Sequence, residues 1–247
     1  MGNIERKITG NFPWNRPEVD TSFVQGEEAE AIYNSLKGNM ANGMSYDAKT
    51  QTLIGSNVFA TARIDSILRP LGIRVANLRD LSRPEVMGMV RDKFYTDTPA
   101  LVLRSMDDSY GRNIPIIKQL AEAVENKNGS VKLPVLITGF DVKEIKDDNG
   151  YGIALIPRGD FQAVHDMRLH GENSGKKFTD VDELGLPKFD RDGKRIWYAR
   201  NQGVSRLFLF RYLGAGSINE SLANSNSYGR VVLVSGEAHQ KTLERKL

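Results

Sequence analysis

The chain has 247 residues, enough for one large domain or two small ones with a full hydrophobic core. Its 34 basic and 31 acidic residues leave a net charge of +3, interspersed and not gathered into the basic stripe that nucleic-acid binders show, so no nucleic-acid partner is expected. There is no cysteine, which excludes disulfides, thiolate nucleophiles, zinc–cysteine sites and iron–sulfur clusters and leaves stability to packing.

Residues 1–25 hold Phe12, Trp14 and Phe23 among polar neighbours, with Pro13 and Pro17. This composition predicts an extended arm lying over its own domain or over a neighbouring subunit, the latter giving a homo-oligomer. The opening MGNIERKITGNFPW lacks the apolar core of a signal peptide, and Arg6 breaks the myristoylation pattern. No apolar run approaches the length of a membrane span, so no membrane insertion is expected. Residues 26–247 are read as one domain.

Residues 26–36 predict a short helix with acidic residues in its first turn, stopping at Gly38. A loop rich in Gly, Asn and Met follows over 37–47. A strand is expected at 51–54, a helix over 61–68 halted by Pro70, and a strand within 73–78. Ser82 reads as the cap of a helix with Pro84 just inside it, and Val86, Met89, Val90 and Phe94 on one face. Residues 100–103 read as a buried strand. Asn113 reads as the cap of a helix with Pro115 in its first turn, Ile116, Ile117, Leu120, Ala123 and Val124 at helical spacing, and Asn128-Gly129 at its end.

The strand–helix–strand order across 100–138 would also suit a parallel unit, which makes α/β the alternative fold. Beyond it the signals turn to β. Residues 133–145 and 151–157 flank a hairpin turn at 147–150, the residues 168–188 form a polar surface excursion, and Phe189 and Ile196-Trp197-Tyr198 flank a second hairpin at Asp192-Gly193. Hairpins of this kind point to an α+β domain.

Chemistry is sparse. His165 and His170 stand near Asp166 and Glu172, without zinc spacing or a third nitrogen ligand. The run Asp190-x-Asp192-Gly193 lacks the bidentate Glu of a calcium loop and is better explained as a turn. Asp107 and Asp108 could raise one another's pKa, yet they fall between a strand and a helix, where turn residues belong. No nucleophile elbow, phosphate-binding loop or paired-histidine zinc motif occurs. No catalytic residue, metal or cofactor is therefore expected. The competing enzyme reading places Asp107, Asp108 or His165 in the cleft of an α/β fold.

The most informative stretch is 203–236, GVSRLFLFRYLGAGSINESLANSNSYGRVVLVSG. It opens on a strand-like run at 205–212 and closes on a buried-looking strand, Val231-Val232-Leu233-Val234. Some seventeen residues of Gly, Ser, Asn and Ala separate the two, a length that a compact domain keeps when the segment has a job. If 205–212 is regularly pleated, Phe208, Phe210 and Tyr212 share one face, with Leu207, Leu209 and Arg211 on the other. Either both faces are covered, or an aromatic row meets solvent or a ligand.

The framework G-V-S-R-L-x-L-x-x-x-L-x-A, with L-A-x-S-N-x-x-G-R-V-V-L-V-S-G-E-A, resembles the C-terminal variable region of proteins diversified by diversity-generating retroelements. In that family an error-prone reverse transcriptase rewrites adenines, mostly in Asn codons. Phe208, Phe210, Arg211, Tyr212, Gly214, Gly216, Ser217, Ile218 and Asn219 all fit rewritten Asn codons, whereas Glu220 does not. The resemblance covers about the last forty-five residues. It implies a C-type lectin-type fold of the formylglycine-generating-enzyme branch. The members of that branch that do chemistry rely on cysteine, absent here.

The function expected is thus a ligand-display protein, binding a variable protein or cell-surface ligand through 208–221, Ser221 included, and Tyr228. The chain would reside in the cytoplasm before assembly or on a virion surface. A structural subunit of a viral particle is the further alternative. Display requires the stretch to leave regular pleating, so that Arg211 and its aromatic neighbours reach solvent while Leu207, Leu209, Leu213 and 231–234 stay buried.

Overall fold

The structure, a computed structural model, describes residues 21–146 and 150–235. Its first part runs β1 (Thr21–Phe23), α1 (Glu27–Ser35), β2 (Ser45–Asp47), β3 (Thr52–Ile54), α2 (Val58–Leu68), β4 (Ile73–Val75), α3 (Leu78–Leu81) and α4 (Pro84–Val90). Next come β5 (Thr96–Leu103), α5 (Ile114–Asn128), β6 (Val135–Glu144), β7 (Ile153–His165), β8 (Lys177–Val181) and β9 (Pro187–Phe189). The last strands are β10 (Arg195–Ala199), β11 (Val204–Leu209), β12 (Ala215–Ser217) and β13 (Val232–Ser235).

An eight-stranded sheet in the order β7-β6-β5-β11-β12-β10-β8-β9 forms the centre, and a three-stranded sheet β1-β13-β4 lies apart from it. Alternation along the central strands sorts side chains to two cores. Leu101, Leu103, Ile137 and Val204 join the core that includes the buried residues of α1, α2 and α5. Val102, Leu136, Leu207 and Leu209 join the opposite core, with Trp197, Phe178 and the short helices α3 and α4. Leu207, Leu209, Leu213 and 231–234 are all buried, as expected from the sequence.

The fold is α+β. The parallel α/β alternative fails at the element that suggested it, because β5 and β6, on either side of α5, pair antiparallel. The hairpin of β6 and β7 forms as expected, although β7 continues to His165 and its turn, 147–149, lies outside the described residues. The second hairpin does not form. The excursion at 168–188 contains a strand, β8, with Phe178 and Leu186 buried, and β8 pairs with both β9 and β10. Nor does Ser82 cap α4. Asn77 and Asp80 build a capping box for α3, Ser82 ends that helix, and Pro84 opens α4 unaided. The arm's last residues belong to the domain, since 21–23 pair with β13. Residues 1–20, with Phe12 and Trp14, lie outside the described residues.

Candidate recognition face

The stretch 203–236 contains one strand more than expected. β12 sits between β11, to which it is antiparallel, and β10, to which it is parallel. The turn into it is a three-residue hairpin loop. Phe210 N–H donates to Gly214 O and Leu213 N–H to Phe210 O, each at 2.8 Å. Leu213 takes the left-handed conformation (φ 64°) that such loops require at their third position. Arg211 and Tyr212 form the tip, and regular pleating ends at Leu209.

Across the three strands, Tyr198, Gly216 and Phe208 stand in register on the sheet face opposite Trp197 and Leu209. Glycine at 216 is what makes this row work. A Cβ there would come within 2.7 Å of Phe210 Cε2, and the space it leaves admits the Phe210 ring. That ring packs edge-on against Tyr198 (5.2 Å between centroids) and tilted against Phe208 (4.4 Å), which in turn meets Tyr95 (6.3 Å). At the tip, the Arg211 guanidinium lies 4.7 Å from the Tyr212 ring centre and 5.3 Å from that of Tyr228. Tyr212 is 68% exposed and Tyr228 54%.

The anticipated positions therefore divide. Tyr212 and Tyr228 are exposed, while Phe210, Arg211, Ile218, Asn219 and Ser221 are half-buried. Gly214 and Gly216 are buried backbone. Phe208 and Ser217 are corrections to full display. Phe208 is 3% exposed because it stays within the pleated strand, beneath Phe210 and Arg206. The Ser217 hydroxyl is fully buried, 2.6 Å from Ser205 Oγ.

What sequence reasoning missed is the anchor. Arg206 is 2% exposed, and its Nη1 meets Asp97 Oδ2 at 2.9 Å. The same nitrogen donates to Asn224 O at 2.7 Å, and the Asn219 amide, oriented with its oxygen toward Arg206, accepts from Nε at 3.1 Å. Its guanidinium also stacks on Phe208 at 4.9 Å. Burial pushes the Asp97 carboxyl up to about 6, against the pull of Arg206. Arg206 stood in the quoted framework, yet its partner Asp97 comes from β5, where the register sets Asp97 opposite Phe208, two residues along from Arg206.

Other distant side chains hold the irregular segment 218–230. Asn113 Nδ2 donates to Glu220 O (2.9 Å), and Tyr151 Oη accepts from Leu222 N–H (3.0 Å). Asn42 Nδ2 donates to Ala223 O (2.8 Å), and Tyr95 Oη accepts from Asn226 N–H (3.1 Å). The segment lacks regular structure but its backbone is pinned along its length.

The residues of the enzyme reading do not converge. Asp108 accepts from Tyr110 N–H, Val204 N–H, Asn113 Nδ2 and Arg200 Nη2 at 2.9–3.0 Å, a turn-anchoring role with its side chain wholly buried. Asp107 is exposed. His165 Nδ1 faces Pro134 O at 2.9 Å. Asp166 is taken up by Arg168, whose hydrogen bonds hold its carboxyl below the usual range. Among the described residues no group of His, Asp and Glu gathers to hold a metal, and no helix is long and apolar enough to cross a membrane. A groove of about 530 Å³ beside β4 lies away from the variable-looking segment, and its arginines are ion-paired, Arg69 to Asp65 and Asp160, Arg74 to Asp80.

No protein-family model, curated protein or solved structure matches the chain.

Proposed function

We propose that this chain is a ligand-display protein of the kind diversified by retroelements, with a C-type lectin-type fold and a recognition face built on 208–221 and Tyr228. One observation carries the reading. Arg211 stands on a tight hairpin tip in contact with two exposed tyrosines, Tyr212 beside it and Tyr228 from the later irregular segment, and the hairpin stands on strands whose leucines and valines are buried. Tyr and Arg supply large contact area from few rotatable bonds. The pinned backbone of 218–230 means that binding orders little chain, which spares the entropy that loop recognition otherwise costs. The aromatic row Tyr198–Phe210–Phe208 forms the base of the face.

The test is the DNA around the gene. A near-copy of the segment encoding 203–236, rich in Asn codons and beside a reverse transcriptase gene, is expected. Its differences should fall on the codons for Phe210, Arg211, Tyr212, Ile218 and Asn219, and spare those for Leu207, Leu209, Leu213 and 231–234. Differences concentrated in the buried codons, or no copy at all, would refute the reading.

A further inference from the structure

The arginines include those paired with a carboxylate and those, such as Arg104, Arg112 and Arg195, that donate to backbone carbonyls instead. Arg63, Arg69, Arg158, Arg168, Arg200 and Arg206 each meet a carboxylate at 3.0 Å or less. Arg211 does not. Among the described residues its side chain has no ion pair and no hydrogen bond, only the rings of Tyr212 and Tyr228, over which its guanidinium carbon lies at 4.7 and 5.3 Å. Stacking of this kind fixes a guanidinium while leaving its in-plane N–H groups uncommitted, and that planar fork matches a carboxylate.

The surroundings favour an anion. The turn after α4 carries Arg91, Asp92 and Lys93, and Asp92 N–H donates to Arg211 O at 2.8 Å. Nearby, Arg230 lies 4.3 Å from the centre of the Phe94 ring, again without an ion pair among the described residues. Asp92, and Asp47 at longer range from Arg230, are the opposing charges. The rest of the chain nearly balances its charges, so this corner is cationic where the molecule as a whole is not.

We infer that Arg211, in contact with the rings of Tyr212 and Tyr228, recognises a carboxylate of an acidic peptide segment on a partner protein. The guanidinium takes the carboxylate through two parallel hydrogen bonds, and the tyrosine rings cover the apolar parts of the segment. A nucleic-acid phosphate would also suit a guanidinium. The cations here are few, however, and form no row that could track a phosphate backbone, which favours the peptide. The inference rests on the recognition-face reading above and adds the chemistry of the ligand.

The experiment selects binders from a random peptide library on the full chain, then titrates each selected peptide and its Asn/Gln isostere. Asp and Glu should be enriched, and the isostere should bind about tenfold more weakly or worse. Arg211→Ala should lose about tenfold, and Arg211→Lys should recover only part of that, because lysine lacks the fork. Binders that need Tyr212 but are indifferent to Arg211→Ala and to acidic residues would overturn the carboxylate inference and leave the recognition face standing. No binders, or binders indifferent to Tyr212, Tyr228 and Arg211 alike, would overturn both. An oligonucleotide that displaces the peptides and depends equally on Arg211 would overturn the peptide assignment.

Discussion

Arg206 and Arg211 lie five residues apart in one continuous stretch, yet they do opposite work. Arg206 is inside the sheet, joined to Asp97 and to the backbone of Asn224, and touches no solvent of consequence. Arg211 stands at the hairpin tip over the rings of Tyr212 and Tyr228, with no carboxylate partner among the described residues. Phe208 and Phe210 divide in the same way, one within the pleated strand and one just past its end. Within each of these two pairs, lying inside the strand or just past its last residue, Leu209, separates the buried side chain from the more exposed one. Residue chemistry does not.

The widest separation is expected on removing the two arginines in turn. Arg206→Ala leaves Asp97 buried and uncompensated and unties Asn219 and Asn224, and should cost about 3–5 kcal/mol in urea melts. Arg211→Ala should change stability by no more than about 0.5 kcal/mol. Equal costs for the two would erase the distinction.

A smaller effect sharpens the comparison through pH. Burial raises the Asp97 carboxyl to about 6 from its ordinary 3.8, so the folded state holds a proton where the unfolded chain has released it. Its contribution to stability is therefore fully present below the unfolded value and is lost as pH rises through about 6. Relative to Asp97→Asn, the unmodified protein should lose on the order of 2–3 kcal/mol between about pH 4 and pH 7. A stability difference that stays flat across that window would contradict a buried, titrating Asp97.

The smallest effect is expected at the tip. Arg211→Ser, Tyr212→Ser and Tyr228→Ser combined should leave the melting midpoint nearly unchanged, within about 1 kcal/mol, because none of the three fills a core. Collapse of that triple variant would mean that the tip is structural after all.

Much of the scaffold was legible from the residues. The apolar run at 231–234, the period of Ile116, Ile117, Leu120 and Val124, and the Asn128-Gly129 stop each carry a local signal strong enough to place an element. What escaped depended on partners distant in the chain. β8 is polar at three of its five positions, and only pairing to β9 and β10 makes it a strand. Ala-Gly-Ser at β12 has no strand propensity at all, and the gap between β11 and β10 imposes its conformation. Exposure was legible at Tyr212 and Tyr228. The sequence misled at Phe208 and Ser217, because a residue fit for rewriting by its codon can still lie under its neighbours. Tyr198 and Tyr95 went unnoticed because nothing local marks them as facing Phe210 and Phe208.

β12 also fixes what kind of change this region can undergo. The strands β7-β6-β5-β11 on one side and β10-β8-β9 on the other meet through its three residues, and apart from the Ser205–Ser217 hydroxyl pair the strand pairing at that seam is made of main-chain hydrogen bonds. Main-chain bonds do not read side-chain identity, so letters can be exchanged around the seam wherever the new side chain finds room. Length is another matter. One added or deleted residue between Gly214 and Ser217 would turn Ala215 and Ser217 to the opposite face, and carry Phe210's slot at Gly216 into the core. The region is a line of fixed-width type. It can be reset character by character, but it cannot be lengthened or shortened without parting the sheet it joins.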